Sequence, residues 1–274
     1  MTDLIDCDMV IYHADCSDGF TAAWVAYRYY KDSDKMPEFI PARYDQDLSQ
    51  LGDFDDKHVL IVDVSFSMEQ LRPLIAGCKS LRLLDHHESA YNKLKDASFA
   101  HFDLTKSGAM LAWEYFFDEE PPKIVEYIQD RDLWKWELLH SKKVSAYIQS
   151  YEKTFDNWDE IFEDLEERFY NQVFFGGQAV LANQAQQIRE ILKHKIYEDW
   201  PEGKVQMVNS PILQSELCNQ MLKDDPNCVA VCYLHTGDNH VKYSVRSTDT
   251  LLAANKIAEA RGGGGHRNAA GFSV

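Results

Sequence analysis

Nowhere does this 274-residue chain hold an apolar run long enough to cross a membrane, so a helical span is not expected. Its six cysteines (Cys7, Cys16, Cys78, Cys218, Cys228, Cys232) form no CxxC pair, which leaves them as reduced, mostly buried thiols. Positive charge is scarce: 28 Lys and Arg stand against 45 Asp and Glu, for a net charge of −17. A protein that grips long duplex nucleic acid by its phosphates needs a basic surface, and an anionic membrane repels an acidic one, so neither partner is expected. A small anion held locally remains open, above all where metal cations supply the positive charge. The start, "MTDLIDCDMV", lacks the basic and apolar regions of a signal peptide, which predicts a cytoplasmic protein. There is no internal repeat and no low-complexity segment apart from a run of glycines near the end.

What is present is material for packed cores. Hydrophobic residues make up 45% of the chain, and aromatic residues are abundant. From residue 8 to 85 strand-like and helix-like patterns alternate: "MVIYH", "GFTAAWVAYRYY", "EFIPAR", "HVLIVDV", "SMEQLRPLIAG", "LRLLDHH". Continuous apolar strands separated by helices predict a mostly parallel, doubly wound α/β sheet. Helices are expected at "SGAMLAWEYFF" and "PKIVEYIQD". Beyond residue 155, Phe155, Trp158, Ile161, Phe162, Leu165 and Phe169 recur at helical spacing, and 178–199 continue as helix. A smaller α/β unit follows, with strands at "KVQMVN", "CVAVCYLH" and "HVKYSVRS" and helices at "SELCNQML" and "LLAANKIAEA". The expected division is an N-terminal domain over 1–150, a helical connector over 151–202 and a C-terminal α/β domain over 203–274.

The strand ends carry the chemistry. His13 closes the first strand, with Asp15 and Asp18 following; Asp63 closes "HVLIVDV"; Asp85, His86 and His87 close "LRLLDHH". "YIQDRDLW" adds Asp130 and Asp132. Parallel strands end along one edge, so these groups can converge although they are far apart in sequence. Gathered carboxylates repel one another and resist desolvation, a penalty that a divalent cation removes. Imidazole mixed with carboxylate suits Mn²⁺, Fe²⁺, Co²⁺ or Zn²⁺, and the number of donors suffices for two ions sharing a carboxylate. Each group also has a plainer reading: Asp18-Gly19 as a turn or helix cap, Asp63 as a helix cap, Asp130 and Asp132 as solvated loop.

The ending "GGGGHRNAAGF" joins glycines to His266 and Arg267. Backbone amides at Gly264 and Gly265 can approach an anion closely, and His266 and Arg267 can add charge-assisted bonds to a phosphate. Arg246 and Ser247, which follow the strand "VKYSV", are candidates for the same pocket. The alternative is a flexible tail ending in a strand.

These motifs resemble the DHH family of phosphoesterases, named for the triplet found here as Asp85, His86 and His87. "HADCSDG", "IVDVS", "LLDHH" and "IQDRDLW" are similar to its four N-terminal motifs, and "GGGGHRNAAGF" to the signature of the DHH-associated domain. The resemblance covers nearly the whole chain and implies two domains and a binuclear, usually Mn²⁺-dependent site in the first, with Mg²⁺ or Co²⁺ as substitutes. It implies His13, Asp18, Asp63, His86 and Asp130 as metal ligands, with Asp63 bridging. Asp85 would orient a histidine, and His87 would contact the phosphate or assist the leaving group. His266 and Arg267 would hold substrate, and Arg246 a terminal phosphate or base. One spacing departs from the family: His13, Asp15 and Asp18 carry an extra residue before Asp-Gly. Asp15 is then a ligand or only a partner of bound water, Cys16 lies inside the motif, and Asp132 is undecided.

The expected function is a metal-dependent phosphodiesterase in which a metal-bound hydroxide attacks phosphorus. Its expected substrates are short oligonucleotides or linear or cyclic dinucleotides, and a homodimer is compatible with this reading. Hydrolysis of pyrophosphate or polyphosphate is the first alternative, and a non-catalytic nucleotide-binding module on the same fold is the second.

Overall fold

The computed structural model describes residues 7–14, 16–43, 46–236 and 240–274; Asp15 lies outside them. The chain divides into two units, Met1–Leu181 and Ala182–Val274.

In the first unit the order is β1 (Met9–His13), α1 (Ser17–Tyr30), β2 (Glu38–Ala42), β3 (His58–Val62), α2 (Met68–Gly77), β4 (Ser80–Asp85), α3 (Glu88–Leu94) and β5 (Ala100–Phe102). Four helices follow: α4 (Gly108–Phe116), α5 (Lys123–Asp132), α6 (Ser141–Gln149) and α7 (Phe155–Glu167). The five strands pair in the order β2-β1-β3-β4-β5, all parallel. Alternate strand residues feed two cores, one per face, because successive side chains point to opposite sides. Val10, Leu60, Val62 and Leu84 pack with α1, α4 and α5 on one side. Met9, Ile11, Val59, Ile61 and Leu83 pack with Leu71 and Leu74 of α2 on the other. That is why these strands read as continuous apolar runs. Ile11, Ile61 and Leu83 are fully buried, each contributing about 1.5–3 kcal/mol. The start of α2 is fixed by a capping box, in which Gln70 N donates to Ser67 Oγ and Ser67 N to the Gln70 side chain.

The stretch expected as a connector does not stand apart. Trp158, Ile161 and Leu165 of α7 are fully buried in the core of the first unit, against Phe20 and Trp24 of α1. Their spacing is that of an amphipathic helix, and the apolar face is covered by the α1 side of the sheet. After a π-helical turn (Phe169–Phe174) comes α8 (Phe175–Leu192), within which the boundary between units falls. The helix expected as far as 199 stops at Leu192, and Ile196–Trp200 form strand β6 instead. Pro201 and Glu202 make the turn into β7 (Gly203–Asn209), with Trp200 paired to Gly203 and Gly203 at φ 124°. That turn, with a proline and a left-handed glycine, forces a hairpin where periodicity alone favours helix.

The second unit continues with α9 (Gln214–Asp224), β8 (Val229–His235), β9 (Val241–Arg246), α10 (Ala254–Glu259), β10 (Gly264–His266) and β11 (Ala269–Ser273). Its sheet runs β10-β11-β9-β8-β7-β6, antiparallel except for the pair β7–β8. Val229 and Val231 face α10, while Ala230 and Cys232 face α9 and the end of α8.

Candidate metal centre

All five strands of the first sheet end along one edge. The order reverses between β1 and β3, the switch point where open α/β sheets bind ligands. His13 ends β1, Asp63 follows β3, and Asp85 ends β4. The backbone there is tightly drawn. A Cβ on Gly19 would lie 2.5 Å from the His13 carbonyl oxygen and 3.0 Å from Asp63 Oδ2. One on Gly108 would lie 2.5 Å from Asp63 Cβ and 3.0 Å from Asp18 Oδ2. The glycine of "SDG" therefore lets α1 start against the end of β1, and that of "KSGAM" lets α4 start against Asp63.

Asp63 is the hub. Its backbone takes the left-handed conformation, φ 58°, which aspartate tolerates better than most residues but at a cost in free energy. Its Oδ2 lies 3.5 Å from His13 Nδ1 and its Oδ1 3.0 Å from His86 Nε2, so each oxygen faces a different imidazole. Burial alone would raise this carboxyl, but the bonds and charges of His13 and His86 outweigh it and hold it well below the carboxylate range. Burial would likewise depress both imidazoles, and Asp63 raises them well above the ordinary histidine value, with Cys16 assisting at His13 and Asp132 at His86.

Asp85 does different work. Fully buried, its Oδ1 accepts from the backbone amides of His86 (2.7 Å) and His87 (3.2 Å) and pairs with His87 Nδ1 at 2.7 Å. Its Oδ2 accepts from the Ser65 hydroxyl. Burial pushes its carboxyl up, and the His87 charge and hydrogen bond push it further down. The triplet is thus divided by function within three positions: His86 towards Asp63, His87 held by Asp85, and Asp85 consumed in holding both. A strand that ends at Asp85 makes this possible, because the backbone turns there instead of alternating faces.

Asp18, at the start of α1, is buried and accepts from Gly108 N (2.6 Å) and Ala109 N (3.0 Å), the first amides of α4. It also lies 3.5 Å from His86 Nε2. Burial, reinforced by Asp63 and Asp132, raises its carboxyl well above the ordinary value. On α5 the two aspartates part company. Asp132 Oδ2 stands 3.6 Å from His86 Nε2, buried and without a hydrogen-bond partner among the described residues. Asp130, expected as the ligand, has both oxygens engaged elsewhere, accepting from Glu137 N (2.9 Å) and the Ser141 hydroxyl. Residues two apart on a helix point about 200° away from each other, so only one of the pair can face the site.

Among the described residues of the first unit, three groups of ligand atoms result, each with its members within 4.8 Å of one another: His13 with Cys16 and Asp63; Asp18 with His86 and Asp132; and Asp63 with Asp85, His86 and His87. Imidazole, carboxylate and one thiol are the donors that divalent transition metals take. The orphaned Asp132 oxygen and the two-sided Asp63 fit that chemistry. Cys16 and Asp132 lie inside motifs read from the sequence, which left their roles undecided. Ser65 and Gly108 were not singled out, and of these only Gly108 left a local signal, a Ser-Gly pair opening an apolar helix.

In the second unit the glycine-rich motif forms the β10–β11 hairpin. Gly265, at φ 141°, pairs with Ala270, and a Cβ on it would meet the Ala269 carbonyl oxygen at 2.6 Å. Gly264 pairs with Gly271, and His266 with Ala269. Arg267 is exposed and donates to Asp249 at 3.3 Å. Ser247 is buried; its hydroxyl accepts from Ala254 N (3.0 Å) at the start of α10. Arg246 donates to Ser215 Oγ (2.8 Å). No described helix is long and apolar enough to span a membrane.

No protein-family model matches the chain. It is 32% identical over 288 residues to uncharacterized protein R106 of Acanthamoeba polyphaga mimivirus, covering 97% of this chain and 67% of that protein. It is 23% identical over 232 residues to oligoribonuclease NrnB of Bacillus subtilis, covering 75% of this chain and 56% of that one. Its fold is similar to that of the DHH domain of a member of a family of ribosomal proteins. There the TM-score is 0.61 at 16% identity, covering 96% of this chain and 81% of the other. With Asp85, His86 and His87 at the carboxyl end of β4 in that fold, and a relative of this identity along almost its whole length, the chain belongs to the DHH family.

Proposed function

We propose that this protein is a metal-dependent phosphodiesterase acting on short oligonucleotides or on linear or cyclic dinucleotides. The observation that carries the reading is Asp63, strained, buried and turned with one oxygen to His13 and the other to His86. A carboxylate placed so suits a bridge between two ions, with His13 and Cys16 on one side and Asp18, His86 and Asp132 on the other. Bound Mn²⁺, with Mg²⁺ or Co²⁺ as substitutes, would supply Lewis acidity and activated water for in-line attack. The chain's own part is to position and to move protons. Because Asp85 accepts from His87 Nδ1, that nitrogen keeps its proton and Nε2 is turned to the substrate, where it serves the phosphate or the leaving oxygen. Arg246, His266 and Arg267 are the proposed contacts to the rest of the substrate, with Gly264, Gly265 and Ser247 shaping the hairpin and helix start that carry them. NrnB's designation as an oligoribonuclease supports the substrate class, and the net charge of −17 disfavours long polymers.

The test is a turnover panel with Mn²⁺: a dinucleotide, a short oligoribonucleotide, a long RNA, pyrophosphate and polyphosphate. Dinucleotide and short oligonucleotide are expected to be cleaved fastest. Cleavage of pyrophosphate or polyphosphate with the dinucleotide untouched would overturn the proposal.

A further inference from the structure

The chain has six tryptophans. In four of them the indole N–H has a partner: Trp24 donates to Asp159, Trp113 to the Glu119 carbonyl, Trp158 to Thr21 and Trp200 to Glu198. Trp134 and Trp136 differ. Neither indole N–H has a hydrogen-bond partner among the described residues, and neither ring belongs to the hydrophobic cores of the unit. Both rings are half-buried and lie edge to face at 4.9 Å, with Lys142 Nζ 5.8 Å from the centre of the Trp136 ring.

Their backbone is as unusual as their side chains. Trp134 (φ 56°), Trp136 (φ 59°) and His140 (φ 59°) all take the left-handed conformation, which costs a bulky residue free energy. The turn persists because Asp130 braces it. The Asp130 carboxylate accepts from Glu137 N and the Ser141 hydroxyl, and its carbonyl accepts from Lys135 N (2.9 Å) and Trp136 N (3.4 Å). Asp132, two residues before Trp134, is at the metal centre. Cations are dense here for so acidic a chain: Arg131, Lys135, Lys142 and Lys143 stand against Asp130, Asp132 and Glu137.

From these observations we infer that the Trp134–Trp136 turn is a nucleobase-stacking platform beside the metal centre. Strain that holds two half-buried indoles outside the core needs a compensating role, and a π-face near the candidate metal centre offers one that every base can use. Stacking tolerates any sequence, which suits a short-oligonucleotide substrate better than base-edge readout. The inference rests on the substrate class proposed above but not on turnover.

The test is therefore equilibrium binding with Mn²⁺ present. Two probes are compared, a dinucleotide carrying a non-hydrolysable methylenephosphonate link and the same molecule with one base removed. In the wild type the complete dinucleotide should bind more tightly. Trp134→Ala or Trp136→Ala should weaken it by roughly 5- to 150-fold, the size of one lost stack, and leave the abasic probe unchanged. Trp→Phe at either position retains a ring and should recover most of the affinity, which separates stacking from a collapsed loop. Equal weakening of both probes, or no weakening, would overturn the platform. A platform that passes in a protein that cleaves no phosphodiester would leave the stacking intact and remove the enzymatic reading; an active enzyme indifferent to both substitutions would do the reverse.

Discussion

Two motifs, one in each unit, carry most of the family resemblance, and they are built on opposite principles. Around Asp63 and the triplet, polar groups are buried and bonded mainly to one another: Asp63 to two imidazoles, Asp85 to His87 and two amides, Asp18 to the start of α4. Around the β10–β11 hairpin, Arg267 and Asp249 are exposed, and the glycines are accounted for by backbone geometry. The first region holds charge at a cost that something must offset; the second leaves its charge in water. Buried carboxylates without a cation are a standing electrostatic penalty, whereas an exposed arginine is nearly neutral for folding.

Substituting Asp63 is the strongest way to break that contrast. Alanine at φ 58° would add backbone strain to the loss of a ligand, so asparagine, which accepts the left-handed conformation, is the cleaner variant. Asp63→Asn should lower turnover by at least about 10²–10³-fold and reduce Mn²⁺ binding by calorimetry, with the circular dichroism of the native fold retained. Activity near wild type would mean that the two groups of ligands do not share this carboxylate.

The neighbouring aspartates of α5 sharpen the comparison by setting a site role against a structural one within a single turn. Asp132→Asn should weaken metal binding at least about 10-fold while leaving thermal stability almost unchanged. Asp130→Ala should do the opposite first. It leaves Glu137 N and the Ser141 hydroxyl without their acceptor, at about 1–3 kcal/mol for each group left unsatisfied. Metal titration and a melting curve on both variants check this, and the reverse pattern would put Asp130 at the metal.

This pair also shows what the sequence could and could not reveal. The strands of the first sheet were legible because Val10, Leu60 and Ile61 belong to runs buried on both faces. His13, Asp63 and His86 were legible because parallel strands must end together. Spacing says that Asp130 and Asp132 diverge on a helix, but not which one faces inward, since that depends on how α5 rolls against α4. Strand β6 was hidden for a related reason. Ile196 and Tyr197 are largely exposed, so no burial pattern distinguishes strand from helix there, and only the turn at Pro201 to Gly203 decides it. The extra residue in the first motif left the role of Cys16 undecided in the sequence, and the fold places it beside His13 and Asp63.

The smallest effect on folding belongs to the hairpin. Arg267 is half exposed and its partner Asp249 more so, and a solvated pair of this kind contributes about 0–1 kcal/mol. Arg267→Ala should therefore shift the melting temperature hardly at all. If the hairpin serves the substrate, the same variant should raise KM for a dinucleotide carrying a terminal phosphate several-fold, with little change in kcat, because an interaction made equally in ground and transition states moves KM alone. A matched dinucleotide without the terminal phosphate should be indifferent to the change. The contrast between the units thus predicts a divided outcome, with chemistry lost at the buried site and affinity lost at the exposed one. A variant at Arg267 that lost kcat while keeping KM would show the hairpin acting on the transition state, and the division drawn between the two motifs would have to be abandoned.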